Sequence, residues 1–593
     1  MLRRYFHTLR HLRPVQFYGR VWFRLYRPHP DTRPAPPLRR AQSHWVAPAL
    51  RPVSLLGPAS LRLLNETHAL LGPGAWNNPA RDKLWLYNLH YFDDLSAATG
   101  PQRVAWQQGL LRRWVAENPP GVGTGWEPYP TSLRIVNWVK WSLAGNALPP
   151  ECVASLAVQA RWLRRRLEHH LLGNHLLANA KALAFAGAFF AGPQAQSWRA
   201  RAERLLAREL REQTLADGGH FERSPMYHAI VLEDVLDLIN LVAAYPETAV
   251  PAMLGLYREC VQSMTRWLTV MCHPDGEIGF FNDAALGIAP TLAQLVDYRQ
   301  RLGLDGAATT LATRAPTLQR GSVGRTLCVP MSSNGAVVWL RDSGYCRLEA
   351  GSAVALLDVA PLGADYLPGH AHADTLSFEL SLFGQRVIVN GGTSRYGSGP
   401  ERLAQRGTAA HSTVQIDGAD SSEVWGGFRV ARRARPLDVR VDSVPELDRG
   451  ARRSGTRTEF TAERALRVCA AHDGYRRLPG RPLHRRTWEL TSERLTVTDA
   501  IEGECGAAVA RFHLHPEVIA EIADDGGRGC LRLPGGHLVD WQLTGGHAGL
   551  ASSVWHPAFG RAVPTRCLEL RFTGHGCRFD LDWREPGVDA LSR

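Results

Sequence analysis

No run of about 18 apolar residues occurs in this 593-residue chain, which argues against a membrane-spanning helix. None of its ten cysteines sits in a CxxC pair, so neither a zinc ribbon nor a thioredoxin-type site is expected. At this size a disulfide framework is not needed. Residues 1–10 are basic but lack an apolar h-region, so no secretory signal peptide is expected. The location expected is cytoplasmic or peripheral to the inner membrane, rather than periplasmic. No nucleic-acid-binding motif stands behind the charge, and no solenoid repeat with fixed residues is present. Acidic residues are in deficit: 69 Lys and Arg against 56 Asp and Glu give +13. Such a surface suits a polyanion, although arginine scattered along the chain also has a bland compositional reading.

What is present is globular: 45% hydrophobic and 21% charged residues, enough for two large domains rather than one core. The first 55 residues read as a basic arm ending in the Pro-rich linker Pro34-Ala35-Pro36-Pro37. Arginines there are interleaved with Phe17, Tyr18, Val21, Trp22, Phe23 and Leu25. Two placements fit: a helix in peripheral contact with an anionic membrane, or an arm packed on the body. Pro14 and Gly19 argue against one unbroken helix.

Residues 56–320 carry a helical pattern. Apolar residues recur at three- and four-residue steps through 153–170, 175–191, 197–213, 228–245, 252–271 and 291–303. Short Gly-, Pro- and Asp-containing joints imply antiparallel helical hairpins, and the stretch from Leu176 to Phe190 should be buried. Residues 321–593 change character. Short runs such as Val387-Ile388-Val389 and Leu495-Thr496-Val497-Thr498, between turns such as Asp417-Gly418, predict an antiparallel sandwich. The fold class expected is therefore multidomain α and β, with the default site in a cleft between the halves.

Four polar clusters interrupt the helical pattern, each at a helix end. They hold Asp93 and Asp94; Trp126, Glu127 and Tyr129; Asn174 and His175; and Glu222, Arg223, Tyr227 and His228. In the second half, Gly369-His370-Ala371-His372-Ala373-Asp374 precedes an alternating strand, and His411 opens another. If the first strand begins early enough, His370 and His372 share a face. Taken singly, Asn174 reads as a helix cap and His175 as a core imidazole; the functional case rests on the set. Elimination across a uronic acid uses such a set. An amide or imidazole bonded to the carboxylate favours removal of the C5 proton, and a Tyr or His moves protons. A glycosidase would want paired carboxylates, for which Glu127, Glu222, Asp93 and Asp94 are available.

These segments resemble the heparinase II/III-like polysaccharide lyases. The resemblance rests on Asn174-His175, on the run from Glu222 to His228, on the run from Gly369 to Asp374, and on His411-Ser412-Thr413-Val414. It implies an incomplete (α/α) toroid followed by a β-sandwich, β-elimination on an acidic polysaccharide, and catalytic Asn174, His175, Tyr227 and His370. Substrate contacts are expected from Trp126, Glu127, Tyr129, Glu222, Arg223, His228, Arg402 and Arg406. A structural zinc would fall on His372, Asn390 and His411, where the amide of Asn390 replaces the family's usual carboxylate. The activity expected is that of a lyase, alginate lyase-like in kind, within capsule or exopolysaccharide metabolism. A hydrolase or epimerase on the same scaffold, and a non-catalytic polysaccharide-binding or assembly protein, stand as alternatives.

Overall fold

Helix formation follows the apolar steps and stops at the Gly and Pro joints. The structure, a computed structural model, describes residues 1–98, 100–304, 335–445, 464–573 and 576–584. Two short helices, α1 (Leu2–Leu9) and α2 (Pro14–Leu25), form the arm; the break precedes Pro14, and α2 runs on through Gly19. After an extended strap, nine α-helices follow before the sandwich among the described residues: α3 (Lys83–Tyr91), α4 (Pro101–Glu117), α5 (Pro128–Leu143), α6 (Pro150–Arg165), α7 (Gly173–Phe189), α8 (Pro193–Gln213), α9 (Pro225–Ala244), α10 (Pro251–Val270) and α11 (Leu292–Arg301).

Burial sorts these helices into two rings. In α7, 16 of the 17 residues are buried, whereas in α10 only 8 of the 20 are. Helices α3, α5, α7 and α9 are neighbours in the inner ring, and α4, α6, α8 and α10 pack outside them. A helix apolar on all faces must be enclosed, which is why α7 and α9 line the toroid's interior. The strap adheres to the outside: Arg161 donates to the carbonyls of Arg33 and Pro34, and Leu38 bridges to Phe190. The arm is also packed on the body, with Arg13 paired to Glu212 at 2.5 Å and the Thr8 hydroxyl bonded to the Val430 carbonyl at 3.2 Å.

The second half is a sandwich of two antiparallel sheets. One runs in order through His547–Trp555, Val563–Phe572, Ala508–Leu514, Gln385–Val389, Phe378–Leu382, Ala353–Asp358, Tyr345–Ala350 and Ala336–Leu340, with Val414–Ile416 also paired to Ala508–Leu514. The other runs through Pro436–Pro445, Arg464–His472, Leu483–Leu490, Arg494–Glu502, Gly576–Trp583, Leu538–Thr544, Arg528–Arg532 and Ile519–Ile522. Gly576–Trp583 alternates buried and half-buried residues, as a strand covered on one face does. Phe378, Trp488, Phe512 and Phe579 fill the core between the sheets. The expected boundary at 320/321 lies outside the described residues. Nine described cysteines are free.

One loop ties the halves together. After α10 the chain crosses to the first sheet, where His273 bonds Glu379 at 2.9 Å and Ser381 at 2.8 Å. Further along it, Asp283 reaches the histidines of the sandwich.

Candidate active site

Three inner helices begin at one cleft between the halves. Tyr129 and Asn174 are the second residues of α5 and α7, and Tyr227 is the third of α9. Each helix start carries about half a positive charge, so this rim favours an anion. The entry to α7 is tight. Leu172 and Gly173 both have positive φ (65° and 57°), and a Cβ on Gly173 would lie 2.3 Å from Leu367. The helix cap is therefore Leu172, not Asn174. Asn174 lines the cleft, and among the described residues its side-chain amide has no protein partner.

The cleft has a volume of about 1010 Å³, and Tyr129, Asn174, His175, Glu222, Tyr227 and His370 share its wall. The Tyr227 hydroxyl is 2.8 Å from that of Tyr396, and its ring lies over the His370 imidazole at 3.9 Å. Burial, then the Tyr396 phenol, push the Tyr227 hydroxyl well above the ordinary phenol range. His370 Nδ1 meets Asp283 Oδ2 at 2.8 Å, which makes Nδ1 the protonated nitrogen and leaves Nε2 free at 3.6 Å from Glu222. Burial raises the Glu222 carboxyl, with His370 opposing, and its Oε2 has no hydrogen-bond partner among the described residues. His175 bonds Glu168 at 3.2 Å and packs on Tyr129; burial opposes its charge, but Glu168 raises its pKa overall.

Asp283 and Tyr396 are the site residues that sequence reasoning missed. Asp283 is fully buried and accepts from His370, from His372 at 2.8 Å, and from both terminal nitrogens of Arg402. Burial alone would raise its carboxyl, yet Arg402 and the imidazoles hold it well below the carboxylate range. The available signal was Asn282-Asp283 inside an otherwise apolar loop. Tyr396 stands next to Arg395, in the segment that leads to Arg402 and Arg406.

Several expected substrate contacts lie elsewhere. Trp126 is core, 2% exposed, with its indole N–H on the Asn118 carbonyl. Glu127 is held by Lys83 at 3.0 Å and by Tyr87, behind the wall. Arg223 donates to the Ser343 and Asp342 carbonyls, locking the halves together. His228 is fully buried on Trp267 and bonds the Met264 carbonyl. Arg402 serves Asp283 rather than sugar. Arg406, fully buried, donates to the Ala371 and Pro368 carbonyls and so fixes the loop that carries His370. Long cations in a polar-looking segment suggest contacts to acidic sugars, but each of these satisfies buried carbonyls or a buried carboxylate. Nor do His370 and His372 share a strand face. The strand starts at Phe378, and Asp283 gathers both rings from a preceding turn. Among the acids a glycosidase would use, Asp93 and Glu222 line the cleft, whereas Asp94 is tied to Arg103 at 2.6 Å.

Two family models cover most of the chain: "Heparinase II/III N-terminus" matches residues 102–301, and "Heparinase II/III-like, C-terminal" matches residues 333–584. The chain belongs to the heparinase II/III-like family. FtsZ-localized protein C of Caulobacter vibrioides is 25% identical over 474 residues, covering 77% of this heparinase II/III-like chain and 73% of that protein. The heparin-sulfate lyase of Pedobacter heparinus is 26% identical over 329 residues, covering 51% of this chain and 46% of the lyase. The fold is similar to the crystal structure of heparinase III, with a TM-score of 0.63 at 16% identity over 87% of this chain and 80% of that one. A heparan sulfate lyase, HepC of Pedobacter heparinus, gives 0.52 at 18% identity over 86% of this chain and 79% of that one.

The zinc that this resemblance implies does not fit the residues present. His372 Nδ1 and His411 Nε2 hydrogen-bond each other at 3.2 Å, and the remaining nitrogen of His372 is on Asp283. The Asn390 amide accepts from the Ser412 N–H at 3.0 Å and donates weakly to Ser377. No anionic donor completes the set, because Arg402 already neutralises Asp283. Among the described residues no three His, Cys, Asp or Glu side chains form a metal-holding group. No helix among them is long and apolar enough to cross a membrane.

Proposed function

We propose that this protein is a polysaccharide lyase that cuts a uronate-containing acidic polysaccharide by β-elimination, its natural polymer a capsule or exopolysaccharide. The observation that supports the reading best is the convergence, in one open cleft, of an unpartnered amide (Asn174), a phenol (Tyr227) and an imidazole with one free nitrogen (His370). Asn174 and the start of α7 bond the uronate carboxylate and stabilise charge as it develops there. His370 Nε2 takes the C5 proton. The C5–H electron pair becomes the C4–C5 double bond as the C4–O4 bond breaks, and the Tyr227 hydroxyl protonates O4. Burial, which holds the phenol's pKa up, keeps the proton on Tyr227 until the leaving O4 becomes basic enough to take it. Asp283 keeps His370 in the tautomer that can accept. Arg20 and Arg429 also line the cleft without a carboxylate partner among the described residues, which suits further acidic sugars.

Purified protein with a panel of uronate polymers, the host's own included, should release products that absorb in the ultraviolet through the new double bond. Reducing ends without that absorbance would assign hydrolysis. Solvent deuterium at C5 without chain shortening would assign epimerisation. A second reading, a localisation or assembly protein that binds sugar without cutting it, is favoured by the likeness to FtsZ-localized protein C, which spans more of this chain than the lyase match does. Binding without turnover across the panel would support it.

A further inference from the structure

The arm has one face for the protein and another that none of the described residues covers. Residues 1–30 hold seven arginines and no acidic residue. On α2 the packed face is Gln16, Gly19 and Phe23. Gln16 is buried and donates to the Tyr366 carbonyl at 3.1 Å. Gly19 lies so close to His170 that a Cβ would be 3.1 Å from that of His170. Phe23 stacks against His170 at 4.2 Å and lies under the Arg166 guanidinium at 3.6 Å.

The opposite face of the same helix is apolar. Phe17, Val21 and Leu25 follow at four-residue steps, flanked by Tyr18 and Trp22, and a period of 3.6 puts all five on one side. They are 46%, 59%, 76%, 64% and 61% exposed respectively. On α1, Leu2 and Phe6 are 87% and 64% exposed. Of the 22 exposed large hydrophobic residues among the described residues, ten fall in α1, α2 and Met1. Scattered apolar residues on a surface need no explanation; a concentration of this kind does. Arg3, Arg10, Arg24 and Arg27 are exposed around it. An apolar stripe with Trp and Tyr, in a segment that carries arginines and no acidic residue of its own, matches the boundary between acyl chains and anionic headgroups.

We propose that the outer face of this arm docks on an anionic lipid bilayer, with Phe17, Val21, Trp22 and Leu25 seated at the headgroup–acyl boundary. The other side of the same arm, at Leu12, Gln16 and Arg20, lines the cleft. Docking therefore holds the cleft about one helix diameter, ~10 Å, from the lipid surface. Polymer at the membrane would then be within reach of the site. The docking does not depend on whether the cleft cuts sugar.

The test is co-sedimentation of the full chain with vesicles at physiological salt. Phosphatidylcholine vesicles containing phosphatidylglycerol should bind the wild type, and pure phosphatidylcholine vesicles should bind it much less. Phe17→Ser with Val21→Ser and Leu25→Ser should lower the partition at least ~10-fold. Arg24→Gln with Arg27→Gln, which leaves the apolar stripe intact, should weaken binding to anionic vesicles alone. Hydrolysis or elimination of a soluble polymer should be unaffected by either variant, so loss of docking is distinguishable from failure of the lyase reading. Wild type that stays in the supernatant with anionic vesicles overturns the proposal. So does equal binding by the triple-serine variant. A wild-type dimer that this variant converts to monomer, with no vesicle binding, assigns the face to a second copy instead.

Discussion

Tyr227 and Tyr396 share one hydrogen bond at 2.8 Å, yet the proposed chemistry needs only one of them as acid. Phenylalanine at either position removes the same bond. The stability cost should therefore match, at about 0.5–1.5 kcal/mol, the net worth of one neutral hydrogen bond. The catalytic cost should not match. Loss of a general acid lowers kcat by about 10²–10⁴-fold, or about 3–5 kcal/mol of transition-state stabilisation. Tyr396→Phe loses only the bond that positions the acid, worth about tenfold at most. Because the two phenols act as a unit, the double variant should be little slower than Tyr227→Phe. The assay is the initial rate of ultraviolet absorbance on the best uronate polymer, with kcat and KM resolved, beside urea unfolding of each variant. A Tyr227→Phe protein within threefold of wild type would refute the acid role. A Tyr396→Phe protein slower than Tyr227→Phe would transfer that role to Tyr396.

Three further outcomes follow from the same geometry. Asp283→Asn leaves the fully buried Arg402 without its counter-charge and should cost about 3–5 kcal/mol in urea unfolding between pH 5 and 8. Because the Asp283 pKa is depressed, its contribution is complete above the unfolded value near ~3.9 and disappears only as pH falls through the lower folded value; an equal or greater gap in strong acid would contradict this. Glu222 has the opposite sign. Its raised pKa makes the folded state favour the protonated form, so stability falls as pH rises through that value. Glu222→Gln should therefore raise the Tm at neutral pH, with the difference vanishing below about pH 4. It should also remove an alkaline fall in kcat/KM caused by repulsion between ionised Glu222 and the uronate; superimposable pH profiles would exclude that repulsion. Finally, elemental analysis should find no stoichiometric zinc, and dialysis against a chelator should change neither Tm nor rate; a chelator-dependent drop in Tm would restore the metal.

The helical half was legible because burial of α7 and α9 leaves a signal in the chain itself: an apolar run on every face, punctuated by Gly and Pro. The same holds for Asn174 and Tyr227, each the polar interruption at such a helix's start. The cations were not legible. Arg402 and Arg406 lie four apart on the short helix Pro400–Arg406, the pattern of a solvated basic face, and only coordinates reveal that one meets Asp283 and the other meets backbone carbonyls. Trp126 failed for the converse reason. An aromatic beside Glu and Pro reads as a sugar platform, but its indole is needed inside the toroid, packed on Trp114 and Trp162. Local sequence encodes an element's buried face; it does not encode which distant element supplies the partner.

That limit explains why Asp283 was missed, and it also says what kind of site this is. The imidazole proposed as base sits on the sandwich, whereas the carboxylate that selects its tautomer arrives from the loop after α10. Asp283 bonds His370 through its side chain, and its own backbone N–H donates to the His370 carbonyl at 2.9 Å. The Ser224 hydroxyl, one turn before Tyr227, bonds the Asp283 carbonyl at 2.5 Å. One residue thus fixes the phenol's helix and the imidazole's ring to each other. A base and an acid must work on neighbouring carbons of one sugar, so their separation has to be set to a fraction of an ångström. Two domains joined only by a linker could not hold it. The docking of toroid on sandwich through residue 283 is therefore part of the chemistry proposed, and a chain in which either half folds alone should bind sugar without cutting it.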